Sequence, residues 1–189
     1  MDLFNRIKEN AGPLGKYAEV AEGYYIFPRL EGDLGSRMMF DGQEVIVWSV
    51  NNYLGLGNHP EVREVDAKAA ADFGMAYPMG SRMMSGNTTY HEELENKLAE
   101  FVNKPAGLLV NFGYQAMSSA IDSLLSRKDV VVYDSGCHAC IVDGVRLHQG
   151  KRFMFVHNDI ENLEKQLTRA EKLINQNGRG GILVITEGV

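Results

Sequence analysis

The sequence predicts an α/β fold built on a mostly parallel sheet. From Pro60 onward, segments with an apolar helical face alternate with short β-branched runs, which is the order of repeated βαβ units. Val130–Asp134 and Ile182–Ile185 read as near-continuous apolar runs, as strands covered on both faces do. The chain has 189 residues, 44% of them hydrophobic and 23% charged, enough for one substantial core.

The first 50 residues are irregular. Gly12-Pro13, Gly23, Pro28, Gly32, Gly35 and Gly42 interrupt any long element. Two short strands are expected near Arg37–Phe40 and Glu44–Ser49, joined by a turn at Asp41-Gly42. This stretch reads as an arm that packs on something larger.

Pro60 suits the first turn of a helix that runs to about Phe73, with Gly74 ending it. Gly80 to Asn87 is a polar loop. Thr89 and Glu92 have capping-box spacing and start a helix whose Leu94, Leu98, Phe101 and Val102 share one face. A strand is expected at Gly107–Asn111, then a helix from Gly113 through Ser126. Val130–Asp134 is the next strand, followed by a helix from about Ala139 to His148. Arg152–Val156 is a strand, and Asn158 with Glu161 caps a helix to about Ile174. After a turn at Gly178–Gly181, Ile182–Ile185 is the last strand. Nothing then carries the chain back over that strand, so the sequence reads as the N-terminal part of a longer protein.

Composition excludes several classes. Lys and Arg total 19 against 25 Asp and Glu, for a net charge of −6, which is wrong for a strongly basic nucleic-acid binder. No apolar run approaches the ~20 residues of a membrane span. Met1 to Asn10 has no apolar signal-peptide core. Two Cys in the whole chain exclude a disulfide scaffold, and a reduced, cytoplasmic protein is the expectation.

No G-x-G-x-x-G and no G-x-x-x-x-G-K-[ST] occurs, which disfavours a dinucleotide or nucleoside-triphosphate site. Asn111-Phe-Gly-Tyr-Gln115 instead lies between a strand and a helix, where free N–H groups can hold an anion; an ordinary strand-to-helix turn has the same spacing. Cys137-His138-Ala139-Cys140 holds both cysteines. A redox or zinc role would need partners, and His148 and His157 offer no recognisable spacing. Small thiols around a functional His fit better. His138 follows an apolar strand at the end where α/β sheets bind ligands, although a purely structural His fits that place too.

Several motifs occur together and in order. They are Asn51-Asn-Tyr-Leu-Gly-Leu56, Gly80-Ser-Arg-Met-Met-Ser-Gly86 with Thr88, His91-Glu-Glu-Leu-Glu95 and Asn111-Phe-Gly-Tyr-Gln-Ala-Met117. Asp134-Ser-Gly-Cys-His-Ala-Cys-Ile-Val-Asp-Gly144, His157-Asn-Asp159 and Thr186-Glu-Gly-Val189 follow. In this series the chain resembles the N-terminal half of the α-oxoamine synthases, pyridoxal phosphate (PLP) enzymes with the aspartate-aminotransferase-like fold. The group includes serine palmitoyltransferase, 8-amino-7-oxononanoate synthase, glycine C-acetyltransferase and 5-aminolevulinate synthase. The resemblance implies that residues 1–50 are an N-terminal arm with a small-domain segment. It implies that 51–189 begin the PLP-binding large domain, truncated at the C-terminal end.

The resemblance also implies roles. Gly113 and Tyr114 match the pair holding the PLP phosphate. His138 matches the His that stacks on the pyridine ring and contacts the substrate carboxylate. Asn52 matches an Asn at the substrate site, Ser81 and Arg82 lie in a loop reaching the neighbouring subunit's site, and Glu187 matches an acidic residue near the cofactor. Cys137 and Cys140 stand where Ser is usual. The implied reaction condenses an amino acid with an acyl-CoA or acyl-carrier thioester in a homodimer, with a slight leaning to a serine palmitoyltransferase-like enzyme. The Asp that pairs with the pyridinium and the Lys that holds PLP covalently have no counterpart before Val189, so this segment alone is expected to be inactive.

Overall fold

The computed structural model describes residues 2, 4–5, 28–74 and 79–188. The breaks expected at Gly12-Pro13 and Gly23 lie outside the described residues, as does Val189 of the closing motif. The chain forms two compact units, Met1–Asn87 and Thr88–Val189.

In the first unit, β1 (Arg37–Phe40) and β2 (Gln43–Ile46) form an antiparallel hairpin with Phe40 opposite Gln43. Asp41 (φ 48°) and Gly42 (φ 77°) both sit in the left-handed region, which a two-residue hairpin turn requires and which favours Asx-Gly. β2 stops short of the expected Ser49 because its ladder ends where Arg37 pairs with Ile46. Helix α1 spans Pro60–Phe73. Pro60 opens it with no N–H to lose, and Gly74 (φ 92°) closes it by donating to the Ala70 carbonyl at 3.0 Å.

The second unit begins with α2 (Thr89–Phe101). Its cap is Thr88, one residue before the expected Thr89. Thr88 has extended backbone, and its Oγ1 accepts from His91 N at 3.4 Å, whereas Thr89 is already helical. His91 is half-buried, with Nδ1 2.8 Å from Thr88 Oγ1, and belongs to the cap. The face of Leu94, Leu98, Phe101 and Val102 is exposed rather than buried. No strand forms at Gly107–Asn111. That segment packs on α2 instead, with Leu109 N donating to Glu95 Oε1 at 2.6 Å, so its backbone finds a side chain rather than a ladder.

The remaining elements alternate as expected. They are α3 (Gly113–Leu124), β3 (Val130–Asp134), α4 (Ala139–Leu147), β4 (Lys151–Phe155), α5 (Ile160–Asn177) and β5 (Ile182–Ile185). The three strands are parallel, in the order β4-β3-β5. Register pairs Val130 with both Lys151 and Ile182. Asp159, not Asn158, caps α5, accepting from Asn162 N at 2.9 Å, because Asn158 takes a left-handed φ of 57°.

Pleating of β3 sends alternate side chains to opposite faces. Val131 packs with Ile121 of α3 and Cys140, Ile141 and Val145 of α4. Val130 and Val132 pack with Phe155 of β4 and Ala170 of α5. The unit is therefore layered, with α3 and α4 on one side and α5 on the other. The three β3 valines are at most 1% exposed, and each contributes roughly 1.5–3 kcal/mol through burial. Among the described residues β5 pairs with β3 alone, and its Val184 is exposed.

Candidate functional site

In open parallel sheets, ligand-binding groups gather where the strands end, since the loops there carry free polar groups. β3 ends at Asp134 and passes through Ser135-Gly-Cys137 to His138, the N-cap of α4. β5 ends at Ile185 and continues into Thr186 and Glu187. These two exits meet: the backbone N–H of His138 donates to Glu187 Oε2.

The imidazole of His138 is oriented by its own helix. Cys140 N donates to Nδ1 at 3.2 Å, and Cys140 Sγ lies 2.9 Å from the same nitrogen. Nδ1 therefore carries the lone pair, and the hydrogen-bond network assigns the ring proton to Nε2. The ring meets that of Tyr114 nearly edge-to-face, with centroids 5.9 Å apart and planes at 72°.

Tyr114 belongs to the first turn of α3. Its hydroxyl donates to Asp143 Oδ2 on α4, which ties the two helices together. That hydrogen bond, with some burial and the Asp143 charge, raises the phenol above its ordinary value. Ser118 Oγ bridges the same helices, donating to Cys140 O at 2.8 Å and lying 3.1 Å from Tyr114 O. The close approach depends on Gly144: a Cβ there would lie 2.9 Å from Ile121 Cδ1 and 3.0 Å from Ser118 Cα.

The N-terminus of α3 fits an anion such as a phosphate. Its N-cap, Phe112, supplies no side-chain cap, and its first turn holds no acidic residue. The leading N–H groups are unpaired within the helix, and its dipole favours negative charge. A Cβ on Gly113 would meet nothing within 4 Å, so packing within the chain leaves that approach open. The described residues thus fit the phosphate group of PLP.

Asp134, the last residue of β3, carries a network of its own. It is 2% exposed and accepts three different donors. Gly136 N lies 2.8 Å away, His157 Nδ1 3.0 Å from both oxygens, and Thr186 Oγ1 3.2 Å away. The Gly136 N–H above all, then His157 and Thr186, hold its carboxyl below the usual range against the opposing effect of burial. Asp134 opens one of the quoted motifs and His157 opens another, and that pairing was the available signal.

The expected residues Gly113, Tyr114, His138 and Glu187 thus lie together in the second unit. Asn52, Ser81 and Arg82 lie in the first. Asn52 Oδ1 accepts from Gly57 N at 2.9 Å and shapes the turn before α1. The Ser81 carbonyl gathers the N–H groups of Met84, Ser85 and Gly86. Arg82 donates through Nε (3.1 Å) and Nη2 (2.7 Å) to Asn87 Oδ1. Both cysteines are free thiols, Cys140 buried and Cys137 half-buried, and burial pushes the Cys137 thiol up. Among the described residues, no group of three or more His, Cys, Asp or Glu is placed to hold a metal ion, and no helix is long and apolar enough to cross a membrane.

Comparison with known proteins agrees with this fold. Residues 43–188 match the aminotransferase class I and II family. The chain is similar to a cysteate-C-fatty acyltransferase of Capnocytophaga ochracea, at 62% identity over 100% of this chain and 44% of that protein. It is also similar to an 8-amino-7-oxononanoate synthase of Citrifermentans bemidjiense, at 37% identity over 89% of this chain and 42% of that one. Among solved structures, Sphingomonas wittichii serine palmitoyltransferase superposes with a TM-score of 0.86 at 27% identity, covering 100% of this chain and 46% of that one. The chain spans less than half the length of the relatives it matches. It belongs to the aminotransferase class I and II family, and its relatives are the α-oxoamine synthases that its motifs resemble.

Proposed function

We propose that the polypeptide carrying this chain is a PLP-dependent acyltransferase that joins cysteate to a fatty acyl thioester. The observation that carries the reading is the His138 constellation. A ring with its proton on Nε2 is anchored at its backbone by Glu187 and stands beside Tyr114 at an uncapped helix N-terminus. The 62% identity to a cysteate-C-fatty acyltransferase supports cysteate over the serine that the motifs alone slightly favoured.

In this reading the N–H groups of Gly113 and Tyr114 bind the phosphate of PLP. His138 sets its imidazole against the pyridine ring, and its Nε2–H donates to the carboxylate of the incoming amino acid. Glu187 holds the His138 backbone in place near the cofactor. Asn52 contacts the substrate, and Ser81 and Arg82 serve the neighbouring subunit's site in a homodimer. PLP, when bound, supplies an electron sink at the amino-acid α-carbon. The net reaction forms a bond from that carbon to the acyl carbonyl carbon, breaks the thioester C–S bond, and releases carbon dioxide and the thiol, leaving an amino ketone. The thioester is an acyl-CoA or an acyl-carrier thioester, and the place is the cytoplasm.

None of this chain's Lys residues matches the covalent PLP anchor, so residues 1–189 by themselves are read as inactive. The test is direct. The purified gene product carrying this segment is incubated with PLP, palmitoyl-CoA and cysteate, serine or alanine in parallel, and products are read by mass spectrometry. A cysteate-derived amino ketone with matching carbon dioxide release is expected. A product from serine alone would replace the substrate, and no product from any amino acid would remove the activity.

A further inference from the structure

Three segments of the candidate site converge on Asp134, a buried carboxylate with no role in the function proposed above. Gly136 N–H closes the turn that leads to His138. His157 brings in the loop between β4 and α5. Thr186 donates one residue before Glu187. Glu187 in turn receives the His138 N–H. These contacts close a ring: Asp134, the Gly136 turn, His138, Glu187, Thr186, and back to Asp134.

A buried carboxylate needs donors in any protein, and a strand-end Asp that simply satisfies itself would draw them from anywhere nearby. Here two of the three come from the segments that deliver the two ends of the His138–Glu187 contact. The third, His157, fills the space against the turn. A Cβ on residue 136 would lie 2.9 Å from His157 Nδ1, so the turn can be this tight only with Gly there. His157 is itself steadied, with Nε2 3.1 Å from Asn158 Nδ2.

We propose that Asp134 is a positioning residue that sets His138 against Glu187, acting through the Gly136 turn and the Thr186 hydroxyl. The proposal rests on the reading of His138 and Glu187 as site residues. It predicts that loosening either arm of the ring is felt at the His138 backbone before it is felt in the fold.

The experiment uses the PLP-loaded gene product carrying this segment and the variants Thr186→Val, Thr186→Ser and Asp134→Asn. Amide hydrogen exchange is read residue by residue, alongside the amino-acid KM and kcat. Thr186→Val deletes one hydrogen bond to a charged acceptor without changing side-chain shape. Exchange at the His138 amide should then speed up roughly 10-fold, with a raised KM. Thr186→Ser should restore both readouts, and Asp134→Asn should exceed Thr186→Val at His138. The proposal is overturned if Thr186→Val leaves His138 exchange at the parent level. It is equally overturned if Asp134→Asn speeds exchange uniformly along β3 with no excess at His138. Should Asp134→Asn fail to fold, the Val and Ser pair decides alone. A parent that turns over no amino acid defeats the proposed function, and the exchange data still decide the positioning role.

Discussion

Replacing His138 by Ala in the holoenzyme carrying this segment should weaken amino-acid binding while leaving PLP in place. The magnitude follows from the hydrogen bonds. Nδ1 is occupied by the Cys140 N–H at 3.2 Å, so Nε2–H is the ring's available donor. Its partner would be a carboxylate, which makes the bond charge-assisted and worth roughly 1.5–3 kcal/mol. That corresponds to about a 10- to 100-fold rise in the amino-acid dissociation constant. His138→Phe should keep a flat ring against the cofactor but lose the same donor, so its affinity loss should match that of Ala while its cofactor absorbance stays closer to the parent's. His138→Ala leaves the uncapped start of α3 untouched, so PLP affinity should change little. The assay is spectrophotometric titration with the amino acid at fixed PLP. Amino-acid affinity within twofold of the parent in both variants would show that His138 is only a helix cap and refute the reasoning.

Gly144→Ala should destabilise the fold by about 1–3 kcal/mol, read as a lower urea midpoint, because a methyl group there meets the Ser118 backbone and Ile121; an unchanged midpoint would contradict the packing of α3 on α4. The double change Cys137→Ser and Cys140→Ser should keep PLP binding, and elemental analysis of the parent should find no stoichiometric zinc; one zinc per chain, lost in the double variant, would revive a metal role. Asp134 titrates below its ordinary value in the fold, so its contribution is present above about pH 4, the unfolded value, and is lost as pH falls through the lower folded one. Asp134→Asn should therefore flatten the acid limb of the stability profile, and an identical acid limb would rule this out.

The strands written as uninterrupted apolar runs were the easiest to read. Val130–Asp134 and Ile182–Ile185 emerge with the expected bounds because an uninterrupted apolar run has few other uses. Two caps were displaced by one residue for a shared reason. Thr88 and Thr89, like Asn158 and Asp159, are neighbouring cap-competent residues, and backbone conformation chooses between them. Asn158 is removed from contention by its left-handed φ, which composition does not reveal. The segment Gly107–Asn111 has strand-like composition, but pairing depends on a partner, and a side chain, Glu95, took the place of one. For the candidate site, the motifs point to Gly113, Tyr114, His138 and Glu187, and contacts link Tyr114 to His138 and His138 to Glu187. The Asp134 network was hidden because its partners lie 2, 23 and 52 positions away, and only the parallel register makes them neighbours.

The central claim is that the start of α3, His138 and Glu187 form one site for PLP. It is tested most directly by adding PLP to the isotopically labelled gene product carrying this segment and following its resonances by NMR. The expected result is a saturable shift of the Gly113 and Tyr114 amides together with the His138 ring and the Glu187 side chain, with the Nε2 proton of His138 visible before and after. PLP binding that leaves Gly113, Tyr114 and His138 unmoved would contradict it.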